Sequence, residues 1–393
     1  MQDQIFIAGT VRTPIGKFGG ALSKLDAAKL GSIAGSEALW RAQIDPSTVD
    51  EVIVSNARQA GTGPNLGRQV AARTGLPQEI PGYTVNMACG SGLKAVELAF
   101  NSIAAGKGEC VLVVGTESMS RIPYILDGAR WGYKLGNSTL HDALYRDGFI
   151  CALSNQHMGM TAEHLADVYG ISREESDAFA VKSHAKAVAA IEDGAFNSQV
   201  IPVAVPGRRG ETLLIEEDEC PRPDTSPEKV AGLPPVFTEE GQVTAGNASA
   251  IADGAAAMVV MSGDYARRNG LTPGTRILAF SQVGVDPNLM GIGPVPAVKS
   301  LLADIGGSLS DFNTIELNEA FAVQALACLR DLGLDEDVVN PHGGAIALGH
   351  PIGMTGIRML VNLDHHLSGD GKGLATLCIN GGMGMAVAVE SAG

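Results

Sequence analysis

The two ends of the chain repeat the same short motifs in the same order, and this duplication constrains the fold more than any other feature. Each copy begins with Val-Asn, runs through a glycine-rich turn into a helical pattern with one basic residue, and ends in Gly-Lys-Gly before a strand-like run. This order predicts two halves that fold alike. The alternative, that these motifs are common turn chemistry, stays open. The matches are Val85-Asn86 with Val339-Asn340, Lys94 with Arg358, and 106–108 with 371–373.

Short β-branched runs bounded by glycine alternate with Ala/Leu/Glu-rich stretches of helical length. This alternation is typical of a layered α/β architecture with a buried, largely parallel sheet. The strand candidates are 5–8, 51–54, 83–86 and 111–114, and the helix candidates are 26–43 and 93–105.

At 393 residues the chain is longer than the roughly 250–300 residues that one hydrophobic core supports. The middle differs from both ends, because it contains a polar helical pattern at 172–193 and a proline-rich acidic loop at 216–235. Loops of this length are commonly lids or binding segments. We therefore divide the chain into an N-terminal half at 1–120 that continues at about 247–271, an inserted loop domain at 121–246 and a C-terminal half at 272–393.

The formal net charge of −15, from 28 basic and 43 acidic residues, argues against nucleic acid as a partner, because phosphate binding needs a basic surface. With 45% hydrophobic residues, the chain can bury large cores. The start, 1–4, lacks the basic region of a targeting segment, and no apolar run approaches the ~20 residues of a membrane span.

Six cysteines are spaced widely and irregularly, without a Cys-x-x-Cys pair. This pattern predicts neither a disulfide framework nor a zinc site, and it fits a reducing, cytoplasmic setting. We expect Cys110, Cys151, Cys220 and Cys328 to be packing or loop residues. His342 is expected to be structural, and the adjacent His365 and His366 to be solvated surface without metal.

Cys89 lies at a predicted strand-to-helix turn, where helix N–H groups stabilise a thiolate and lower the pKa of the thiol. Gly90 and Gly92 are expected to leave room for a substrate and for N–H groups that meet an oxyanion. The alternative is a buried structural cysteine.

Two further residues can complete a nucleophilic site. His350 lies in a glycine-rich run at 340–353 that cannot be a helix interior, and a neutral histidine there can take a proton from a thiol. Cys378 lies at the end of a predicted strand, just before a second glycine-rich turn. If the halves are duplicated, the turns of Cys89 and Cys378 can converge on one site.

These segments resemble the thiolase family. The motifs stand in the family's order and cover essentially the whole chain. They are the nucleophile run 85–92, Gln156-His157-Met158-Gly159, 244–249, 290–297, Asn318-Glu319-Ala320-Phe321, Gly349-His350-Pro351 and Cys378 with Gly381, Gly382 and Gly384.

The resemblance implies a duplicated fold of two βαβαβαββ-type halves in a five-layered α-β-α-β-α arrangement with an inserted loop domain. It also implies a coenzyme A-dependent Claisen condensation and its reverse, thiolysis. Cys89 would be acylated while His350 takes its proton, and Cys378 would act as general base on the α-carbon of a second acyl-CoA.

The resemblance further assigns two oxyanion sites. His350 and a water held by Asn318 would polarise the incoming thioester, and the N–H groups of Cys89 and Asn380 would receive the acyl-enzyme oxygen. The family usually has glycine at the position of Asn380. Asparagine still offers its N–H and tolerates left-handed φ better than other non-glycine residues.

Coenzyme A and acyl-CoA are expected as substrates, with no permanently bound cofactor and no metal. Relatives often carry basic residues just before the Phe237 motif, where this chain has Gly232 and Pro234, which weakens the expected phosphate contacts. The residues that the resemblance places near acyl-CoA are His157, Met158, Arg222, Phe237, Ser249, Met290, Ala320 and Phe321.

Three alternatives remain open at this point. Within the family, the His157-Met158-Gly159 stretch favours the short-chain biosynthetic type, which makes acetoacetyl-CoA from two acetyl-CoA, over degradative members that act on longer 3-ketoacyl-CoA. A decarboxylating ketoacyl synthase and a catalytically inactive binding protein are the others. The resemblance also predicts a homodimer or homotetramer, with part of 121–144 as a tetramer-forming loop.

Overall fold

In the computed structural model, which describes residues 4–392 except for the side chain of Arg208, strands and helices alternate along the chain. The predicted absence of a targeting segment rests partly on residues 1–3, and these residues lie outside the described ones. The strands are β1 Ile5–Arg12, β2 Gly16–Lys17, β3 Glu51–Ser55, β4 Gly82–Val85, β5 Cys110–Ser118, β6 Tyr124–Leu126, β7 Leu140–Asp142, β8 Ile150–Cys151, β9 Gln156–His157, β10 Val203–Pro206, β11 Thr212–Ile215, β12 Ala252–Ser262, β13 Thr275–Gly284, β14 Thr314–Leu317, β15 Lys372–Ile379 and β16 Met383–Ser391. The helices are α1 Ala27–Arg41, α2 Leu66–Arg73, α3 Ser91–Ala104, α4 Met158–Tyr169, α5 Arg173–Glu192, α6 Pro227–Ala231, α7 Gly263–Arg268, α8 Pro294–Ile305, α9 Ala322–Leu332, α10 Ala345–Leu348 and α11 Ile352–His366.

All four expected strands and all three expected helices are present. Local capping explains where the helices begin. The Asp26 side chain accepts the Lys29 N–H and starts α1. Ser172 and Glu175 form a reciprocal capping box that starts α5.

The main sheet contains the same strand arrangement twice, which confirms the duplication. One half has the order β1-β12-β5-β3-β4, and the other has β13-β16-β15-β14, with Val339 bridged to Ile315 where a further strand would follow. Within the described part of the main sheet, the two halves join through a short antiparallel pairing of β1 with β13, at Phe6–Arg276 and Ile7–Thr275.

The expectation of a largely parallel sheet is wrong. Among the described strands of the main sheet, only β3–β4, β3–β5 and β14–β15 pair in parallel, and the pairings around β1, β12, β13 and β16 are antiparallel. The cause is visible in β15 and β16, which are joined by the short turn 380–382 and must therefore run in opposite directions.

Helices and sheet halves stack in five layers. Helices α1 and α2 cover the outer face of the first half, and α8 and α9 cover the outer face of the second. Helices α3 and α11 pack against each other between the two halves, where the central core lies. This arrangement confirms the expected α-β-α-β-α order.

The segment between β5 and β12 packs onto the second half. Its helices α4 and α5 contact α9 and α10, so its chemistry-bearing residues are brought close to those of the C-terminal half. The domain limits given above stay a prediction. Among the described residues, no helix is both long and apolar enough to cross a membrane.

Candidate active site

A cavity of about 430 Å³ lies where loops from both halves and from the inserted segment meet. Ten of the thirteen residues predicted for the site line it: Cys89, His157, Met158, Phe237, Ser249, Met290, Ala320, Phe321, His350 and Cys378. The remaining lining residues are Tyr145, Phe149, Val236, Ala248, Ile251 and Ile352.

The nucleophile candidate Cys89 is held by a strained turn between β4 and α3. Ala88, just before it, has a left-handed φ of 46°, a conformation that is costly for a residue with a Cβ. The Ser91 hydroxyl stabilises the turn, because it accepts the Met87 N–H at 2.8 Å and donates to the Ala88 carbonyl at 2.6 Å. Neither Ala88 nor Ser91 was assigned a role from the sequence.

The thiol of Cys89 is protonated in the resting protein, contrary to the expectation of a lowered pKa. Burial raises the pKa of Cys89 above its ordinary value, and this outweighs the lowering by the Arg58 charge and by the N–H groups of Asn380 and Cys89. A neighbouring base is therefore required to generate the thiolate.

The glycines after Cys89 allow close packing against the second half, and their expected role in substrate approach stays a prediction. A Cβ on Gly90 would lie 2.5 Å from the Ile379 side chain, and one on Gly92 would lie 2.9 Å from backbone atoms of α11. A Cβ on Gly92 would therefore require movement of α11, whereas one on Gly90 would displace the end of the Ile379 side chain.

His350 lies in the turn between α10 and α11, as the sequence predicted. Its Nδ1 lies 2.6 Å from the Thr355 hydroxyl, which donates its own hydrogen to the Pro351 carbonyl at 3.0 Å. The tautomer that satisfies both contacts has the proton on Nδ1, and it leaves Nε2, which has no partner among the described residues, with a free lone pair. Burial, together with the charges of Arg358 and Arg58, lowers the pKa of His350 to about 3, so the ring is neutral.

Cys378 and Asn318 lie at the ends of neighbouring parallel strands. Burial, with the nearby thiols of Cys89 and Cys328, raises the pKa of Cys378 well above its ordinary value. The Asn318 backbone is fixed by donation to the Thr376 carbonyl at 3.0 Å. Its side chain is fully buried, and neither amide atom has a partner among the described residues. A buried amide of this kind suits a bound water or ligand oxygen.

A buried carboxylate joins two of the predicted motifs. Glu319 accepts hydrogen bonds from Ser183 at 2.7 Å, from Asn340 at 2.9 Å and from the Ile346 N–H at 3.2 Å. It thus ties the box at 318–321 to the run that carries His350. Three-dimensional proximity is the only signal for this role, because Ser183 lies far away in sequence.

Asn380 lies beside the cavity and directs its backbone N–H to the Cys89 sulfur. Its φ is not positive; the left-handed positions of this turn are Gly381 and Gly382. The tolerance of asparagine for such backbone is therefore not needed here. The Asn380 side chain donates to the Gly148 carbonyl at 3.3 Å.

His157 forms part of an aromatic wall. Its Nδ1 accepts the Gly159 N–H at 3.0 Å, which leaves the proton on Nε2, and burial lowers the pKa of the ring. The ring contacts Tyr145, Phe149 and Phe237, with 4.5 Å between the centroids of His157 and Phe237.

Arg222 is the predicted binding residue that the structure does not bring to the cavity. It is exposed in the loop before α6, and its backbone N–H donates to His184 at 3.2 Å. Ser249 does reach the site, and its own N–H donates to the Ala320 carbonyl at 3.0 Å.

The histidines expected on the surface are half-buried instead. His366 stacks on His342 with 3.8 Å between the ring centroids, because the end of α11 packs on the loop before α10. His365 bonds Ser198 and the Thr10 carbonyl. In the part of the chain that the structure describes, no group of three or more His, Cys, Asp or Glu residues could hold a metal ion.

Comparisons with known proteins define the class. Residues 5–264 match the model of the thiolase N-terminal domain, and residues 271–391 match that of the thiolase C-terminal domain. The chain belongs to the thiolase family and is an enzyme of the thiolase type.

Several relatives cover nearly the whole chain. An acetyl-CoA acetyltransferase of Escherichia coli K12 is 48% identical over 387 residues, which cover 98% of each chain. The crystal structure of the Bacillus anthracis acetyl-CoA acetyltransferase matches at 41% identity with a TM-score of 0.97, over 99% of each chain. Human mitochondrial 3-ketoacyl-CoA thiolase in complex with CoA matches at 40% identity with a TM-score of 0.95, over 100% of this chain and 99% of that one.

Proposed function

We propose that the chain is an acetyl-CoA C-acetyltransferase, which joins two acetyl-CoA molecules into acetoacetyl-CoA and free CoA and also catalyses the reverse thiolysis. The observation that carries this function is the single cavity in which Cys89, His350 and Cys378 meet. The similarity to acetyl-CoA acetyltransferases over almost the full length supports the choice of substrate.

In the first half-reaction, Cys89 attacks the thioester carbon of acetyl-CoA. His350 takes the thiol proton on Nε2, which Thr355 leaves unprotonated. The bond from carbon to the CoA sulfur then breaks, and the departing CoA thiolate takes a proton from the Cys378 thiol. The products are acetyl-Cys89, neutral CoA, a protonated His350 and a Cys378 thiolate.

In the second half-reaction, the Cys378 thiolate removes an α-proton from a second acetyl-CoA. Burial makes this thiolate strongly basic, as a weak carbon acid requires. The resulting enolate attacks the acetyl-Cys89 carbonyl, a carbon–carbon bond forms, and the Cys89 thiolate leaves and recovers its proton from His350.

Two groups of hydrogen-bond donors can stabilise the negative charge that develops on oxygen in these steps. The N–H groups of Cys89 and Asn380 face the Cys89 sulfur and suit the oxygen of the acyl-enzyme. The unpartnered Asn318 amide is suited to hold a water that, with His350, polarises the incoming thioester. Prearranged donors in a dry cavity are the main means of stabilising an enolate.

The remaining lining residues suit the pantetheine arm and the acyl group. Ser249 offers a polar contact, and the apolar wall consists of Met158, Phe237, Met290, Ala320 and Phe321. The crystal structure of the human mitochondrial relative is a complex with CoA, which supports the same kind of ligand here. We assign CoA and acyl-CoA to this chain as substrates, with no permanently bound cofactor, and Arg222 to the adenine or phosphates at the exposed loop.

A degradative 3-ketoacyl-CoA thiolase is the second candidate, because the similarity to the human mitochondrial enzyme extends over the whole chain. The full-length similarity to acetyl-CoA acetyltransferases favours short acyl groups. Thiolysis rates with acetoacetyl-CoA and with a medium-chain 3-ketoacyl-CoA decide between the two. Equal or faster cleavage of the longer chain would select the degradative function.

We also propose a cytoplasmic homodimer or homotetramer that acts in fatty acid metabolism. Six free cysteines suit a reducing compartment. Large apolar side chains are exposed around 124–145, among them Leu135, which is fully exposed, and Trp131 at 86% exposure. Such a patch is typical of subunit contacts.

Mass spectrometry after addition of acetyl-CoA tests the function most directly. We expect a gain of roughly 42 Da on the Cys89 peptide, because an acetyl group replaces the thiol hydrogen. Cys89→Ser gives the control without a thiol. Cys378→Ala should still accept acetyl, more slowly because the departing CoA thiolate loses its proton donor, and should lose condensation because no base is left to remove the α-proton. An unmodified Cys89 in active protein, or condensation by Cys378→Ala, would contradict the mechanism.

A further inference from the structure

A buried arginine lies beside the reacting cysteine and has no role in the proposed chemistry. Arg58 follows β3 and is only 6% exposed. Its Nη2 donates to the Gly148 carbonyl at 2.7 Å, and its Nε has no partner among the described residues. The guanidinium also lies against Phe149, 6.0 Å from the ring centroid. Burial of a charged guanidinium costs free energy unless neighbouring groups compensate for the lost contact with water.

The loop that carries Arg58 is fastened to the nucleophile turn and to α11. The buried Glu117 carboxylate accepts the Asn56 amide at 2.7 Å and the N–H groups of Ala57, Arg58 and Gly353 at 2.9–3.1 Å. In addition, Asn86, three residues before Cys89, donates its side-chain amide to the Ala57 carbonyl at 3.2 Å. Arg58 is therefore rigidly placed relative to Cys89 and to the helix that follows His350.

Gly148 connects this arginine to the oxyanion turn. Its carbonyl oxygen accepts both the Arg58 guanidinium and the Asn380 side chain, and the Asn380 backbone N–H faces the Cys89 sulfur. A Cβ on Gly148 would lie 2.7 Å from the Arg58 Nε, so any larger residue would displace the guanidinium. The asparagine that stands where the family usually has glycine thus bonds the same atom as Arg58.

We propose that Arg58 is a positioning residue for acyl transfer: through the Gly148 carbonyl it fixes the Asn380 turn against Cys89, and its charge favours the anionic states of that cysteine. This inference rests on the proposed function for its kinetic part only. Its effect on the reactivity of Cys89 is independent of the substrate.

The charged and titratable groups around Cys89 give the direction of the effect. Arg58 lowers the pKa of the Cys89 thiol, whereas the Glu117 carboxylate raises it. His350 is neutral, and Cys378 is a protonated thiol in the resting protein. Arg58 is therefore the positive charge that counteracts the effect of burial on the pKa of Cys89. Its removal makes the thiolate harder to form.

The test compares Arg58→Met with Arg58→Lys, which keeps the charge. Arg73→Met is the matched control, because Arg73 is a partly exposed arginine on α2 that pairs with Asp26. Iodoacetamide labelling of the Cys89 peptide is followed by mass spectrometry from about pH 6 to about pH 10. We expect Arg58→Met to lower the labelling rate about tenfold at each pH, the effect of a pKa raised by about one unit, Arg58→Lys to recover much of that loss, and Arg73→Met to match the unmodified protein.

Steady-state thiolysis of acetoacetyl-CoA gives the second measurement. We expect Arg58→Met to lower kcat about tenfold with little change in KM, since an N–H donor is misplaced. Asn380→Ala should lower kcat, and the double variant Arg58→Met/Asn380→Ala should be little slower than Arg58→Met alone, because both side chains act through one carbonyl. If Arg58→Met does not fold, Arg58→Lys and Asn380→Ala still allow the comparison.

Two results would overturn the inference. One is a Cys89 labelling profile of folded Arg58→Met that coincides with that of Arg73→Met. The other is full additivity of the Arg58 and Asn380 effects on kcat. Failure of the proposed function is distinguishable, because it would abolish turnover in the unmodified protein while the labelling profiles still differ.

Discussion

At the scale of single residues, the site combines neutral reactants with nearby fixed donors. Burial raises the pKa of Cys89 and lowers that of His350 to about 3, so neither carries a charge at neutral pH. Proton transfer from thiol to imidazole therefore creates an ion pair during the reaction. The orientation of the His350 ring then decides whether the transfer can occur at all.

Thr355 fixes the orientation of the His350 ring, so its replacement should change the rate of the reaction. Thr355→Val keeps the shape but removes the hydroxyl that holds Nδ1–H, so the other tautomer, with the proton on Nε2, becomes accessible. We expect kcat for thiolysis to fall by about tenfold to a hundredfold with little change in thermal stability. Thr355→Ser restores the hydroxyl and should recover most of the rate. Equal rates for Thr355→Val and the unmodified protein would contradict this role.

The sequence was sufficient to predict the site residues whose chemistry depends on the type of side chain. Cys89, His350 and Cys378 were predicted from a turn context and a family motif, and the structure brings all three to one cavity. Arg58 and Thr355 were not predicted, because their roles depend on distance across the fold rather than on spacing along the chain. The direction of the Cys89 pKa was also wrong, since burial is a tertiary property.

At the scale of secondary-structure elements, close contact between α3 and α11 sets the distance between the two halves. A Cβ on Gly356 would lie 2.5 Å from the Leu93 backbone nitrogen, and one on Gly92 would lie 2.9 Å from the Gly356 nitrogen. The two helices meet backbone to backbone at these glycines. Both helices start next to a reactive residue, so their separation also sets the spacing of Cys89 and His350.

Gly356→Ala tests this contact. Alanine favours an isolated helix by about 1 kcal/mol over glycine, but here the helices must separate, and overpacking costs about 1–3 kcal/mol. We expect a lower free energy of unfolding in urea and reduced kcat. Gly232→Ala is the control, because its Cβ would meet nothing closer than 3.6 Å and its φ is −75°. Stabilisation by Gly356→Ala would contradict the close-packing argument.

The elements themselves were largely predictable, whereas their pairing was not. The strands around 5–8 and 111–114 follow from β-branched runs, and α1 and α5 from their caps. The antiparallel direction of β12 depends on a long insertion between it and β5, and no local pattern encodes where that insertion returns.

At the scale of the whole molecule, a buried polar chain joins the halves. Arg358 and Asn362 of α11 both bond Glu316, Asn362 accepts from Gln199, and Gln199 accepts from Arg12. Every polar partner here is distant in sequence. Such a network stabilises the assembled protein only when it is complete, so the chain is expected to unfold as one cooperative unit.

Buried histidines should make the free energy of unfolding depend on pH. The folded pKa falls to about 4 for His184, about 3 for His350 and about 4 for His366, each through burial first, against about 6.5 when unfolded. Between these values the unfolded chain binds protons that the folded protein does not. The contribution of each histidine to the free energy of unfolding is therefore lost as the pH falls below about 6.5, while buried carboxyl groups with raised pKa act in the opposite direction.

His366→Gln isolates one of these groups, because the opposing effect of buried carboxyl groups with raised pKa is common to both proteins and cancels. We expect the unmodified protein to lose about 1 kcal/mol more stability than His366→Gln between about pH 7.5 and about pH 5 in urea titrations. His141→Gln, at a partly exposed ring beside Asp127, should behave like the unmodified protein. The same loss in His366→Gln as in the unmodified protein would show that the stacked pair of His342 and His366 takes up a proton while folded.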